Sequence, residues 1–300
     1  MNYTLSVPPP STPTALRLAY PVAKMVFHAR GLEDLRTRPA VLVYQMAKVA
    51  SKTVLHSVRR SRPGQPVFHI HTLTKDGIET MERFYRWCRV PSLPWAGHLL
   101  VSRYLEEQLR RGVTPGRWKV ITLVRDPIAR NLSLLFHLGG RLIPNFRFRC
   151  DTDTLDPVAV FEQFERAFPS QVNCMRWFDD ELRRVFDVNP FDTPFDVDAG
   201  YQVYPGPIAE VLLIRADRLN QVGEETLRGF LGLAEFRWKQ TNIQARKANG
   251  RRYVDLLNRI TLPRAYVDRF YDTPEVRHFF GPDELDRLRA RWCGTREVTS

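Results

Sequence analysis

The chain has 300 residues, of which 45 are Lys or Arg and 33 are Asp or Glu, leaving a net charge of +12. That length suits one large α/β domain, and the charge favours anionic ligands, among which nucleic acid, acidic saccharide, phosphorylated nucleotide and anionic lipid all stay open. Four cysteines far apart with no C-x-x-C indicate neither a zinc site nor a disulfide framework, and no run approaches the ~18 apolar residues of a membrane span.

Residues 1–38 read as an extension, with Pro8 to Pro13 excluded from a helix or a central strand. The N-terminus lacks a basic region followed by an apolar one, and scattered free thiols favour a reducing compartment, so a cytoplasmic protein is expected. Leu16 to Arg30 has helical spacing with basic residues. Such a helix serves a membrane surface or a partner, or else docks on the domain, and both readings stand. Residues 39–300 are taken as one α/β domain.

Ala40 to Tyr44 is an apolar run bounded by Arg38-Pro39, which predicts a buried strand. Small and polar residues follow, then Thr53 to Arg60 as a helix. Strand, small-residue loop and helix in that order point backbone N–H groups at an anion. Lys48 adds a point charge, and Ser51 and Thr53 add hydroxyls. The loop is not a Walker A sequence, because its lysine precedes the small residues.

Val67 to His71 alternates as a strand, with His69 and His71 on one face. His71 lies nearer the carboxyl end, and an imidazole there suits a general base. Helices are expected over Asp76–Arg89 and Val101–Arg111, and His98 is read as structural. Trp118 to Val124 is a second buried strand running into Arg125 to Ser133. Arg125 thus stands at a strand's carboxyl end, where open α/β sheets bind ligands. Asp126 is an expected N-cap, Pro127 a first helical residue, and Arg130 and Ser133 share a helical face. Leu138-Gly-Gly140 is expected to stop that helix.

Arg141 to Asp156 reads as an irregular loop, a lid or an insertion without a role. Helices are expected over Pro157–Phe168 and Ser170–Phe186, with Asp179, Asp180 and Glu181 as solvated acids. Asp192 to Gly206 reads as a connection, Ala209 to Ile214 as a third strand, and Asp217 to Leu231 as a helix. Arg246 to Arg252 is a basic stretch, and Tyr253 to Trp292 carries helical segments with aromatic stripes.

Two of these stretches resemble a known family. Lys48-Val-Ala-Ser-Lys-Thr53 is similar to the 5′-phosphosulfate loop of sulfotransferases that use 3′-phosphoadenosine 5′-phosphosulfate (PAPS). Arg125 followed eight residues later by Ser133 is similar to their 3′-phosphate motif. The nearest resemblance is to the bacterial branch of putative capsular polysaccharide synthesis proteins, and it runs from about Val41 to Trp292.

The resemblance implies a P-loop-like three-layer fold, with a central parallel sheet, helices on both faces and a helical C-terminal part. It implies sulfuryl transfer from PAPS to a saccharide or glycolipid, without a metal. Lys48, Val49, Ala50, Ser51, Lys52 and Thr53 would hold the phosphosulfate, with Lys48 also catalytic. Arg125 and Ser133 would hold the 3′-phosphate, joined by Arg246 and Lys247, and His71, with His69 behind it, would be the base. Ala50 stands where many relatives have Gly, and Lys52 where many have Ser or Thr. No nucleic-acid partner is expected, and association with a membrane surface is left open. Two rivals are a P-loop-like kinase or NTPase and a non-catalytic basic protein binding an acidic polymer.

Overall fold

The structure, a computed structural model, describes residues 38–88, 92–112, 116–152, 154–239, 254 and 257–294. Arg246, Lys247 and the helix expected over Leu16–Arg30 lie outside the described residues.

Five strands form one sheet in the order β2-β1-β3-β5-β4: β1 Val41–Tyr44, β2 Val67–Ile70, β3 Trp118–Val124, β4 Tyr201–Pro205 and β5 Ala209–Arg215. The pairs β1·β2, β1·β3 and β3·β5 are parallel, with Val41 level with both Val67 and Lys119. Every residue of β1 is fully buried, as is almost all of β3 and β5, so both faces of the central sheet are covered.

The expected all-parallel sheet is corrected at one edge. β4 is antiparallel to β5, and it lies inside the stretch read as a connection. Its Asp, Gly and Pro content hid it, as did its solvent-facing alternation, which leaves Tyr201 and Val203 exposed.

In chain order the principal helices are α1 Ser51–Ser61, α2 Lys75–Trp87, α3 Ser92–Arg110, α4 Pro127–Leu142, α5 Phe146–Asp151, α6 Pro157–Ala167, α7 Leu219–Leu231, α8 Arg264–Tyr271, α9 Pro274–Phe279 and α10 Pro282–Cys293. α4 does not stop at Leu138-Gly-Gly140. A Cβ on Gly139 would overlap the Phe146 ring, so this glycine serves close packing and leaves the helix running. The expected loop after it is partly α5.

The helix expected over Ser170–Phe186 is broken. Pro169–Val172 is helical, Cys174–Arg176 is a 3-10 turn, Phe178–Arg183 is a π-helix, and Arg184–Phe186 returns to α geometry. Single π turns inside helices are frequent at functional sites.

The C-terminal helices are fastened to the sheet by Arg215 at the end of β5. Its fully buried guanidinium donates to Asp217, to both carboxylate oxygens of Glu284 and to the Phe279 carbonyl, which uses its five N–H groups. All four cysteines are free thiols. No helix among the described residues is long and apolar enough to cross a membrane.

Candidate functional site

The loop between β1 and α1 is built on two unusual backbone positions. Lys48 has φ 74° and Ala50 has φ 73°, both left-handed and neither a glycine. Such residues turn successive N–H groups toward a common point, at a cost of about 1–2 kcal/mol each. Val49, between them, is fully buried and anchors the loop, while Ala50 and Lys52 are exposed and Ser51 partly so.

Side-chain donors hold the strained backbone from behind. His71 Nδ1 donates to the Gln45 carbonyl at 2.9 Å, Arg130 Nε to Ala47 at 3.0 Å, and Arg125 Nη1 to Lys48 at 2.9 Å. Three loop carbonyls are thereby occupied by His71 just after β2, Arg125 just after β3 and Arg130 on α4.

α1 begins at Ser51, its N-cap Ala50 supplies no side-chain cap, and its first turn carries no acid. α4 has both a Pro at its start and the Asp126 carboxylate on Ile128 N at 2.9 Å. An uncapped helix start with a partly buried lysine beside it attracts an anion through its orphan N–H groups and its dipole.

Arg125 and Asp126 follow β3, the strand next to β1. Asp126 is committed to structure: Tyr271 donates to Oδ1 at 2.8 Å and Trp292 Nε1 to Oδ2 at 3.1 Å. Burial pushes its carboxyl above the usual range, against these donors and the nearby Arg125 charge, which pull it down. Arg130 is 2% exposed and donates as well to Gln171 O and to Asn131 Oδ1. It braces the loop from inside the protein. Ser133, on the same helix, is buried.

His71 directly follows β2. A carbonyl only accepts, so the bond to Gln45 O puts the proton on Nδ1 and leaves Nε2 with its lone pair. Burial lowers its pKa, and the Arg130 and Lys48 charges lower it further, against the Gln45 bond. Its ring centroid lies 4.7 Å from that of His69 and 5.2 Å from that of His98. His98 in turn shares a 2.7 Å hydrogen bond with the Tyr85 hydroxyl. Burial, with the neighbouring imidazoles, holds His69 down at about 2 and His98 at about 3. The histidine read as merely structural therefore joins the other two in one neutral cluster.

Sequence reasoning missed two residues here. Glu181, expected in solvent, is 4% exposed and accepts from Tyr44, Thr72, Leu73 and Thr74. Trp177 Nε1 donates to His71 O at 2.8 Å. The one sequence hint was Gly77, near the start of α2, where a Cβ would overlap Glu181 Oε1.

A cavity of about 500 Å³ opens elsewhere, lined by Thr74, Lys75, Arg110, Arg184 and Ile208 among others, and shares no residue with the loop. Among the described residues no group of histidine, cysteine and carboxylate side chains is arranged to hold a metal ion. No protein-family model, no curated protein and no solved structure matches the chain, so the chemistry of the site has to be read from its own residues.

Proposed function

We propose that the chain is a PAPS-dependent sulfotransferase, built on a P-loop-like α/β arrangement, that moves a sulfuryl group to a hydroxyl or amine of a saccharide or glycolipid. The observation that carries this reading is the pairing of two anion-directed groups at neighbouring strand ends. The uncapped start of α1 follows β1, Arg125 follows β3, and a hydrogen bond from Arg125 to Lys48 O joins them. A ligand with two separate phosphate-type groups suits that pair better than a single polyphosphate does.

In this reading Lys48, the N–H groups from Val49 to Lys52 and the side chain of Thr53, whose own N–H is spent on the Ala50 carbonyl, take the phosphosulfate, and Lys48 offsets the charge left on the departing 5′-phosphate oxygen. Arg125 and Ser133 take the 3′-phosphate. The bond from sulfur to that 5′-phosphate oxygen breaks, a bond from sulfur to the acceptor forms, and the acceptor proton passes to His71 Nε2. Bonds from Tyr271, Trp292 and Ile128 to Asp126 count against the kinase rival, because the acid nearest the strand end is not left for a magnesium ion.

The test is calorimetric binding of adenosine 3′,5′-bisphosphate (PAP, the desulfonated product) against ADP and AMP. The wild type should prefer PAP, and Arg125→Ala and Ser133→Ala should each weaken it, the arginine change by about 10- to 100-fold. Equal affinities, or tighter ADP, would overturn the reading. Retention of a polyanion with a steep salt dependence, and no PAP binding, would favour the polymer rival.

A further inference from the structure

The segment after β2 is held far more firmly than a surface connection requires. Four consecutive residues are fixed by one short stretch of chain. His71 O accepts from Trp177 Nε1 at 2.8 Å, and Thr72 donates its hydroxyl to Glu181. Leu73 N and Thr74 N donate to Glu181 Oε2 at 2.7 and 2.9 Å, and the Thr74 hydroxyl donates to Oε1 at 2.8 Å. The Tyr44 hydroxyl, from the end of β1, completes the set.

The π-helix Phe178–Arg183 carries Glu181 and follows directly on Trp177. Trp177 also packs edge-on against the Tyr44 ring at 4.7 Å. Gly77 leaves the room that the carboxylate needs. Burying a carboxylate is expensive, and packed apolar side chains would hold a loop at lower cost. What this carboxylate supplies is directional constraint, because five donors converge on its two oxygens.

That geometry converges on His71, whose backbone is gripped by Trp177 on one side and whose Nδ1 is tied to Gln45 O on the other. We propose that the Trp177–Glu181 segment is a positioning device for His71, fixing the Nδ1–H tautomer and the direction of Nε2. The proposal rests on the reading of His71 as the base. It assigns Trp177 and Glu181 to positioning, with no contact to substrate.

The test uses the full chain and reads the imidazole itself. Nitrogen NMR of the ring, with the His71 signals assigned by their loss in His71→Gln, reports the tautomer in wild type, Trp177→Phe and Glu181→Gln. Trp177→Phe removes a single donor and keeps the ring packing. Circular dichroism checks that each variant is folded, and if Glu181→Gln is not, Trp177→Phe alone decides.

The expected result is one tautomer in wild type and a mixture in the variants. PAP affinity should be unchanged, and kcat for sulfuryl transfer should fall by about tenfold or more, the scale expected for misplacement of a reacting group. A folded Trp177→Phe with the His71 tautomer and kcat of wild type would overturn the proposal. Absence of PAP binding in wild type would instead remove the sulfotransferase reading, while the tautomer measurement would still decide whether this segment orients His71.

Discussion

Arg125 Nη1 donates to the carbonyl oxygen of Lys48 at 2.9 Å, so the end of one strand holds the loop that leaves its neighbour. Arg130 does the same one residue earlier, at Ala47 O, from a buried position. The two arginines differ in consequence: Arg125 is partly open to a ligand, whereas Arg130 is enclosed.

Arg130→Ala leaves three acceptors without their charged donor, a buried one on Asn131 and part-buried ones on Ala47 and Gln171. The expected loss is on the order of 3 kcal/mol in urea unfolding. Arg130→Lys should recover little of it, since one ammonium cannot reproduce the planar fork. Unchanged stability in Arg130→Ala would show that the brace carries no weight.

Ala50 holds φ 73° with a Cβ that this conformation disfavours. Ala50→Gly should relieve about 1 kcal/mol of strain, offset in part by the greater freedom of glycine in the unfolded chain. The expected outcome is a small net stabilisation in thermal unfolding. The same change at Val49, which is buried and does not share the positive φ, should destabilise instead.

Gly139 lies against the Phe146 ring, where a methyl group has no room. Gly139→Ala gains helix propensity of about 1 kcal/mol, yet overpacking costs about 1–3 kcal/mol, so a net loss is expected. Phe146→Leu in the same chain should restore part of it. A double-mutant cycle in urea measures the coupling, and additive effects would contradict the packing argument.

The histidine cluster predicts a dependence on acidity. His69 and His98 are held at about 2 and about 3 in the folded state, below the ordinary value of about 6.5 in the unfolded chain. Below pH ~6.5 the unfolded chain takes up protons that the folded chain refuses, so stability present above that pH is lost as pH falls. Each such histidine contributes a slope of about 1.4 kcal/mol per pH unit. His69 Nε2 is buried without a partner, so His69→Phe should be tolerated at pH 7.5. Between pH 7.5 and 5 it should lose on the order of 2 kcal/mol less than wild type. Parallel pH profiles for the two proteins would refute this.

Most of the sheet was legible because β1, β3 and β5 are dominated by apolar residues and β2 alternates, with Pro, Arg or small residues near their ends. The loop from Gln45 to Thr53 and the position of Arg125 could likewise be placed at strand ends from sequence alone. β4 could not, since its exposed Tyr201 and Val203 alternate within a stretch rich in turn residues. The π-helix was hidden for a different reason. Nothing local distinguishes Glu181 from Asp179 and Asp180 beside it, and its burial follows from Tyr44 and the residues after β2, more than a hundred positions away. Gly139 misled in the opposite sense, because a glycine that ends a helix and one that admits an aromatic ring look alike in a sequence.

The Arg215 network sets an order of events during synthesis. The partners that satisfy the carboxyl edge of the sheet include Glu284 for Arg215 and Trp292 for Asp126, both from α10. Until that segment has left the ribosome, a guanidinium destined for full burial and a carboxylate that caps α4 lack these partners. All five strands precede α10 in the chain, so a nascent chain stalled before Glu284 should hold its sheet before these strand-end contacts are complete.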